Sequence, residues 1–168
     1  MNYNIAMEKT ILKIKPHHFL DFLYDLATDN RHDEPNPNES DNGRLCCGFI
    51  DGKFARIVFT PFVDDICRPC NKLIDGKRCI DHFDDVTTMY YGFRYKNDLN
   101  YHLDIELHAA LPSVFLFNVE QDMIDVLISL KEKLTNDIIN LYLWKRSERE
   151  KNTFLGIEKA IAIYQKIK

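Results

Sequence analysis

Three cysteines fall within thirteen positions in the middle of the chain, in the run Asp64-Asp65-Ile66-Cys67-Arg68-Pro69-Cys70, an eight-residue spacer, and then Cys79-Ile80-Asp81-His82. Written as ligands, this is C-x2-C followed by C-x2-H, a spacing at which three sulfurs and an imidazole can converge on one ion or cluster. A chain that brings those side chains together must form a short, stiff knuckle. Pro69 fixes its own φ and withdraws a backbone donor between the first two sulfurs. Asp75-Gly76 is a tight-turn dipeptide, so Leu73-Ile74 and Arg78-Ile80 are expected to run antiparallel and return Cys79 to the first pair. The alternative is three ordinary buried thiols, since cysteine packs as a small hydrophobe. Flanks that are charged rather than apolar fit ligands better.

At 168 residues, with 45% apolar and 29% charged side chains, the chain is sized for one domain with a true core. Residues 10–92 form its metal-site half and residues 98–168 its helical half. An odd count of five cysteines, no secretory signal and no apolar stretch long enough for a bilayer imply a cytoplasmic protein with reduced thiols and no membrane association. The net charge is -4, and Asp64, Asp65, Asp75, Asp81, Asp84 and Asp85 crowd the cysteines. A nucleic-acid knuckle needs a basic footprint there, so nucleic acid is not an expected partner. The run from Lys145 to Lys151 alternates in sign and reads as a solvated helix face.

Residues 10–15 have strand character, and Pro16 opens a short amphipathic helix over 16–28, with Phe19, Phe22 or Leu23, and Leu26 at helical spacing. His17 and His18 fall in its first turn, and Asp21 lies one turn on, on the face of His17. The positive end of the helix disfavours a protonated imidazole, which leaves neutral rings able to bind metal or donate to an anion. The plainer reading has one ring packed and the other solvated. Residues 29–44 read as a polar surface loop, expected to be mobile. Cys46 and Cys47 follow, as half-buried thiols or as spare ligands or a reactive thiol. Residues 54–60 are the clearest strand. Paired with the first, that strand would bring the His17-His18 junction and the cysteine loop to one end of a small sheet. Helices are expected over 83–92 and 98–110. Tyr90, Tyr91, Phe93, Tyr95 and Tyr101 between them read as core and rim. Leucine stripes predict further helices to the end, one capped by Thr135 or Asn136. No G-x-S-x-G, Walker or G-x-G-x-x-G pattern occurs, so neither a serine or cysteine triad nor a nucleotide cradle is expected.

Lys15-Pro16-His17-His18-Phe19-Leu20-Asp21 and the stretch from Asp64 to Cys79 resemble the domain of unknown function 1284 family, small prokaryotic proteins suspected of binding an iron–sulfur cluster. The family pattern is a basic residue, x-His-His, two apolar residues and a cysteine, then Asp-Asp-x-Cys-x-x-Cys and one further cysteine. The likeness covers roughly residues 10–28 and 55–92. His17, His18, Asp65, Cys67, Cys70 and Cys79 match. Asp21 stands where the family cysteine would be, so the fourth ligand is open: Asp21, His82, Cys46 or Cys47, or an open iron position.

The expectation is an α+β fold, a mainly helical single domain with a two- or three-stranded sheet beside a cysteine-rich metal loop. The expected cofactor is an iron–sulfur cluster on Cys67, Cys70 and Cys79, with His17 or His18 placing or protonating a small-molecule ligand at an open iron. The alternative is a zinc knuckle of Cys67, Cys70, Cys79 and His82 in an interaction module, or a catalytic zinc with a bound water.

Overall fold

The computed structural model describes residues 10–30, 42–81, 93, 95–142 and 146–167, with the side chains of 140–142 and 146–147 left undescribed. The chain opens with β1 (Thr10–Ile14), whose inward residues Leu12 and Ile14 are buried. Pro16 then starts α1 (Pro16–Thr28), as a proline at the first helical position does where no amide donor is needed. Next come α2 (Asn42–Ile50) and β2 (Phe54–Phe59). α2 overturns part of the expected 29–44 loop: residues 42–44 begin a helix that also carries Cys46 and Cys47. The rest of that loop, 31–41, lies outside the described residues.

β2 pairs with β1 in parallel, Ile14 against Phe59, so both strands end on the same side. A parallel pair needs a crossover, supplied here by α1 and α2. The geometry expected for the two junctions follows: the α1 start and the segment after Thr60 share one end of the sheet.

That segment leads into a ribbon of β3 (Leu73–Ile74) and β4 (Arg78–Cys79), antiparallel with Leu73 opposite Cys79. The turn has the left-handed backbone that its sequence implied, φ 52° at Asp75 and 64° at Gly76. The expected helix over 83–92, with Tyr90 and Tyr91, falls outside the described residues.

α3 (Lys96–Ala110) begins two residues before its expected start and β5 (Glu120–Asp122) pairs antiparallel with β2, completing the sheet order β1-β2-β5. α4 (Met123–Lys133), α5 (Asn136–Tyr142) and α6 (Arg146–Ile167) finish the chain. Thr135 caps α5, its Oγ1 accepting the Ile138 N–H at 3.4 Å. The α+β expectation is met, with a three-stranded sheet and a separate two-stranded ribbon. Among the described residues no helix is long and apolar enough to cross a membrane.

The core is continuous from the sheet to the C-terminal helices. Phe19 meets Phe22 and Phe59 at ring centroids of 5.7 and 5.4 Å, and Phe59 meets Phe115 edge-on at 4.9 Å. Each such pair adds about 0.5–1.5 kcal/mol beyond burial. α1 makes its broadest helix contact with α6, where Gly156 lets the backbones approach.

One seam has no counterpart in the strand pattern. The outer edge of β1 is closed by two aspartates: the Asp65 carboxylate accepts the Lys13 N–H at 2.8 Å and the Asp65 N–H donates to the Lys13 carbonyl at 3.0 Å. Asp64 accepts the Lys15 N–H beside them. A strand edge carries backbone groups that must be satisfied, and these two residues serve in place of a strand.

Candidate metal centre

At the start of α1, Lys15 makes no side-chain cap, and carboxylates from two other elements take that role. The His17 N–H donates to Asp104 Oδ1 at 2.9 Å, and His17 Nδ1 lies 2.8 and 2.9 Å from the two Asp104 oxygens. Asp64 Oδ2 lies 2.7 Å from His18 Nδ1 and accepts the Lys15 N–H at 2.8 Å, while Oδ1 accepts the Cys67 N–H at 2.8 Å. Exposed amides and the positive helix end favour anions at this position. Both carboxylates are fully buried, at 0% exposure, so their hydrogen bonds offset a large desolvation cost.

The two imidazoles, with centroids 4.2 Å apart, have pKa values shifted in opposite directions. Burial pushes His17 below its ordinary pKa, and the Asp104 carboxylate opposes this without reversing it. Burial would do the same to His18, but the charge and hydrogen bond of Asp64, with Cys67 adding to them, carry it well above the ordinary value. The expected lowering is found at His17 and not at His18: both rings touch a carboxylate, but Cys67 adds to Asp64 at His18, whereas the neighbouring His18 and Lys15 charges add to burial at His17. Asp64 responds in kind: burial would raise it, and His18 together with Lys15 holds it below the usual carboxylate range. Lys15 is itself buried, yet Cys67, Asp64 and Asp104 overcome that burial and raise its pKa.

Donor atoms of His18, Asp64 and Cys67 lie within 4.8 Å of one another, a set able to hold a metal ion. Cys70 follows through a turn closed by its N–H to the Cys67 carbonyl at 3.0 Å. The ribbon returns Cys79 to the same region: burial first, and then the charges of Asp81, Cys67 and Cys70, push its thiol up against an opposing backbone hydrogen bond. All three sulfurs are partly exposed. Cys67 and Cys79 line a cavity of about 210 Å³ together with Lys15, Asn97 and Tyr101.

The other expected residues are placed as follows. Asp21 forms an ion pair with Arg149 of α6 at 3.1 Å, and the carboxylate on His17 is Asp104. His82 lies outside the described residues. Cys46 is a core thiol whose Sγ donates to the Phe22 carbonyl at 3.8 Å, and Cys47 beside it is half-buried.

Sequence reasoning missed Asp104. Its signal was present: Leu99, Leu103 and Leu107 mark the buried face of α3, and Asp104 is a lone carboxylate on that face. A comparison with protein-family models, with curated proteins and with solved structures finds no match to this chain.

Proposed function

We propose that the protein binds a metal centre through Cys67, Cys70 and Cys79, with His18 as the nitrogen ligand. The observation that carries this is the meeting of His18, Asp64 and Cys67 within 4.8 Å at the shared end of β1 and β2. Asp64 already engages His18 Nδ1 and two backbone amides, so it suits the role of orienting carboxylate and leaves Nε2 to the metal. Asp104 holds His17 in the same way.

Three thiolates with one imidazole suit either a zinc ion or an iron–sulfur cluster. The cavity beside Cys67 and Cys79 supports the cluster, since a closed structural zinc gives an open mouth no purpose, whereas an iron with an accessible position does. The resemblance to the domain of unknown function 1284 pattern points the same way. Such a centre would supply Lewis-acid or one-electron chemistry. Within the chain, Lys15 places positive charge beside the sulfurs, and His17, its pKa lowered by burial, is a proton acceptor at the same helix end.

Anaerobic purification with iron, sulfide and zinc analysis tests the reading. The expected result is a brown protein with iron and acid-labile sulfide, both depleted in Cys67→Ser and His18→Ala. One zinc per chain selects the closed site. A wild-type protein with no metal after reconstitution with either overturns the proposal.

A second reading has its own observation, the succession thiol, imidazole and carboxylate in Cys67, His18 and Asp64. This is the order of a thiol nucleophile with its base and orienting acid. Iodoacetamide separates the two: selective alkylation of Cys67, slowed in His18→Ala and indifferent to added metal, favours the nucleophile.

A further inference from the structure

The chain is acidic overall, yet an opening beside the cysteine loop is lined by cations. A groove of about 670 Å³ is bounded by Lys13, Arg68 and Lys77 around the apolar side chains Phe62, Val63 and Leu73. Phe62, Val63, Leu73 and Lys77 also border the smaller cavity lined by Cys67 and Cys79, so the two openings adjoin. Among the described residues no carboxylate lines either one.

Arg68 is paired with Asp65 at 3.2 Å, whereas Lys13 and Lys77 have no ion-pair partner among the described residues. Phe62, which lines both openings, is 65% exposed. Large apolar side chains left open next to unpaired positive charge are the features by which a site selects a ligand with an anionic head and an apolar body. The size fits a small organic molecule. Asn97 and Tyr101 add an amide and a hydroxyl at the inner end.

We propose that this groove binds a small organic anion, a carboxylate or phosphate monoester with a short apolar body. Its head group sits between Lys13 and Lys77, its body lies on Phe62, Val63 and Leu73, and its far end reaches Cys67 and Cys79. The placement of the far end rests on the proposed metal centre. The grip on the anion does not.

Calorimetric titration of the intact, as-purified protein with hexanoate, hexyl phosphate and hexanol tests this, with metal content measured on the same sample. One or both anions are expected to bind, hexanol at least about tenfold more weakly, a difference near 1.4 kcal/mol. Lys13→Glu with Lys77→Glu should weaken the anion about tenfold or more while metal content is unchanged, and raised salt should weaken it in the wild type. Lys77→Gln alone, at an exposed turn, should give a smaller loss in the same direction and serves if the double variant does not fold. Equal binding of hexanol and hexanoate, or lysine variants that bind the anions as the wild type does, would overturn the inference. Anion binding by a protein without metal would instead remove the metal reading and leave the groove assigned.

Discussion

Asp64 is the residue on which most of the centre turns, because a single buried carboxylate accepts from the amides of Lys15 and Cys67 and holds His18. Its effect on His18, set against the opposite shift of His17, fixes how the metal-free protein responds to pH. The His18 pKa is raised, so its contribution is complete below 6.5 and is lost as pH rises through the folded value. The His17 pKa is lowered, so its contribution is complete above 6.5 and is lost as pH falls through the folded value. Stability of the metal-free chain is therefore expected to peak near pH 6.5 in urea titrations. Asp64→Asn should cost about 3–5 kcal/mol, as breaking a buried pair does, and should flatten the alkaline arm and deepen the acid arm, since burial then lowers His18 as well. An alkaline arm unchanged in Asp64→Asn would refute this account of His18.

Among the elements, the α1–α6 contact sets where the two histidines stand. A Cβ on Gly156 would fall 1.9 Å from the Leu23 carbonyl oxygen, a backbone atom that cannot turn aside. Gly156→Ala should then cost at least about 1–3 kcal/mol and broaden the His17 and His18 ring resonances in NMR spectra, although neither ring touches the substitution. Retention of both stability and ring signals would contradict it. The elements were legible in sequence wherever the pattern was periodic or punctuated: Pro16 opened α1, Asp75-Gly76 closed the ribbon, and strand-forming side chains marked β1 and β2. α2 was not legible, because Asn42-Gly43-Arg44 continues a polar run and only burial of Leu45, Cys46 and Phe49 makes it a helix. The site was half legible. Local spacing marked the cysteines and histidines, but the pairings of His17 with Asp104 and His18 with Asp64 span 87 and 46 positions and depend on tertiary placement. Asp21 read as a candidate ligand from its place in the family pattern, and Arg149, far along the chain, is its ion-pair partner.

For the molecule as a whole, the cysteines of the loop stand outside the core, to which the loop contributes Ile66 alone. Of the five cysteines only Cys46 belongs to the buried cluster, which joins the sheet to α1, α2, α3, α4 and α6. Removing metal with a chelator is therefore expected to leave the helical circular dichroism nearly unchanged while amide exchange accelerates in residues 64–81. Global loss of helix on chelation would mean that the centre holds the core together as well. The aspartate seam along β1 bears on the company the chain keeps. With Asp65 seated against Lys13, a foreign segment finds that rung of β1 taken, and the opposite margin of the sheet among the described residues is only Glu120, Gln121 and Asp122. Copies of this protein should not zip together through their sheets even when concentrated, a safeguard written into the same pair of acids that steadies the histidine.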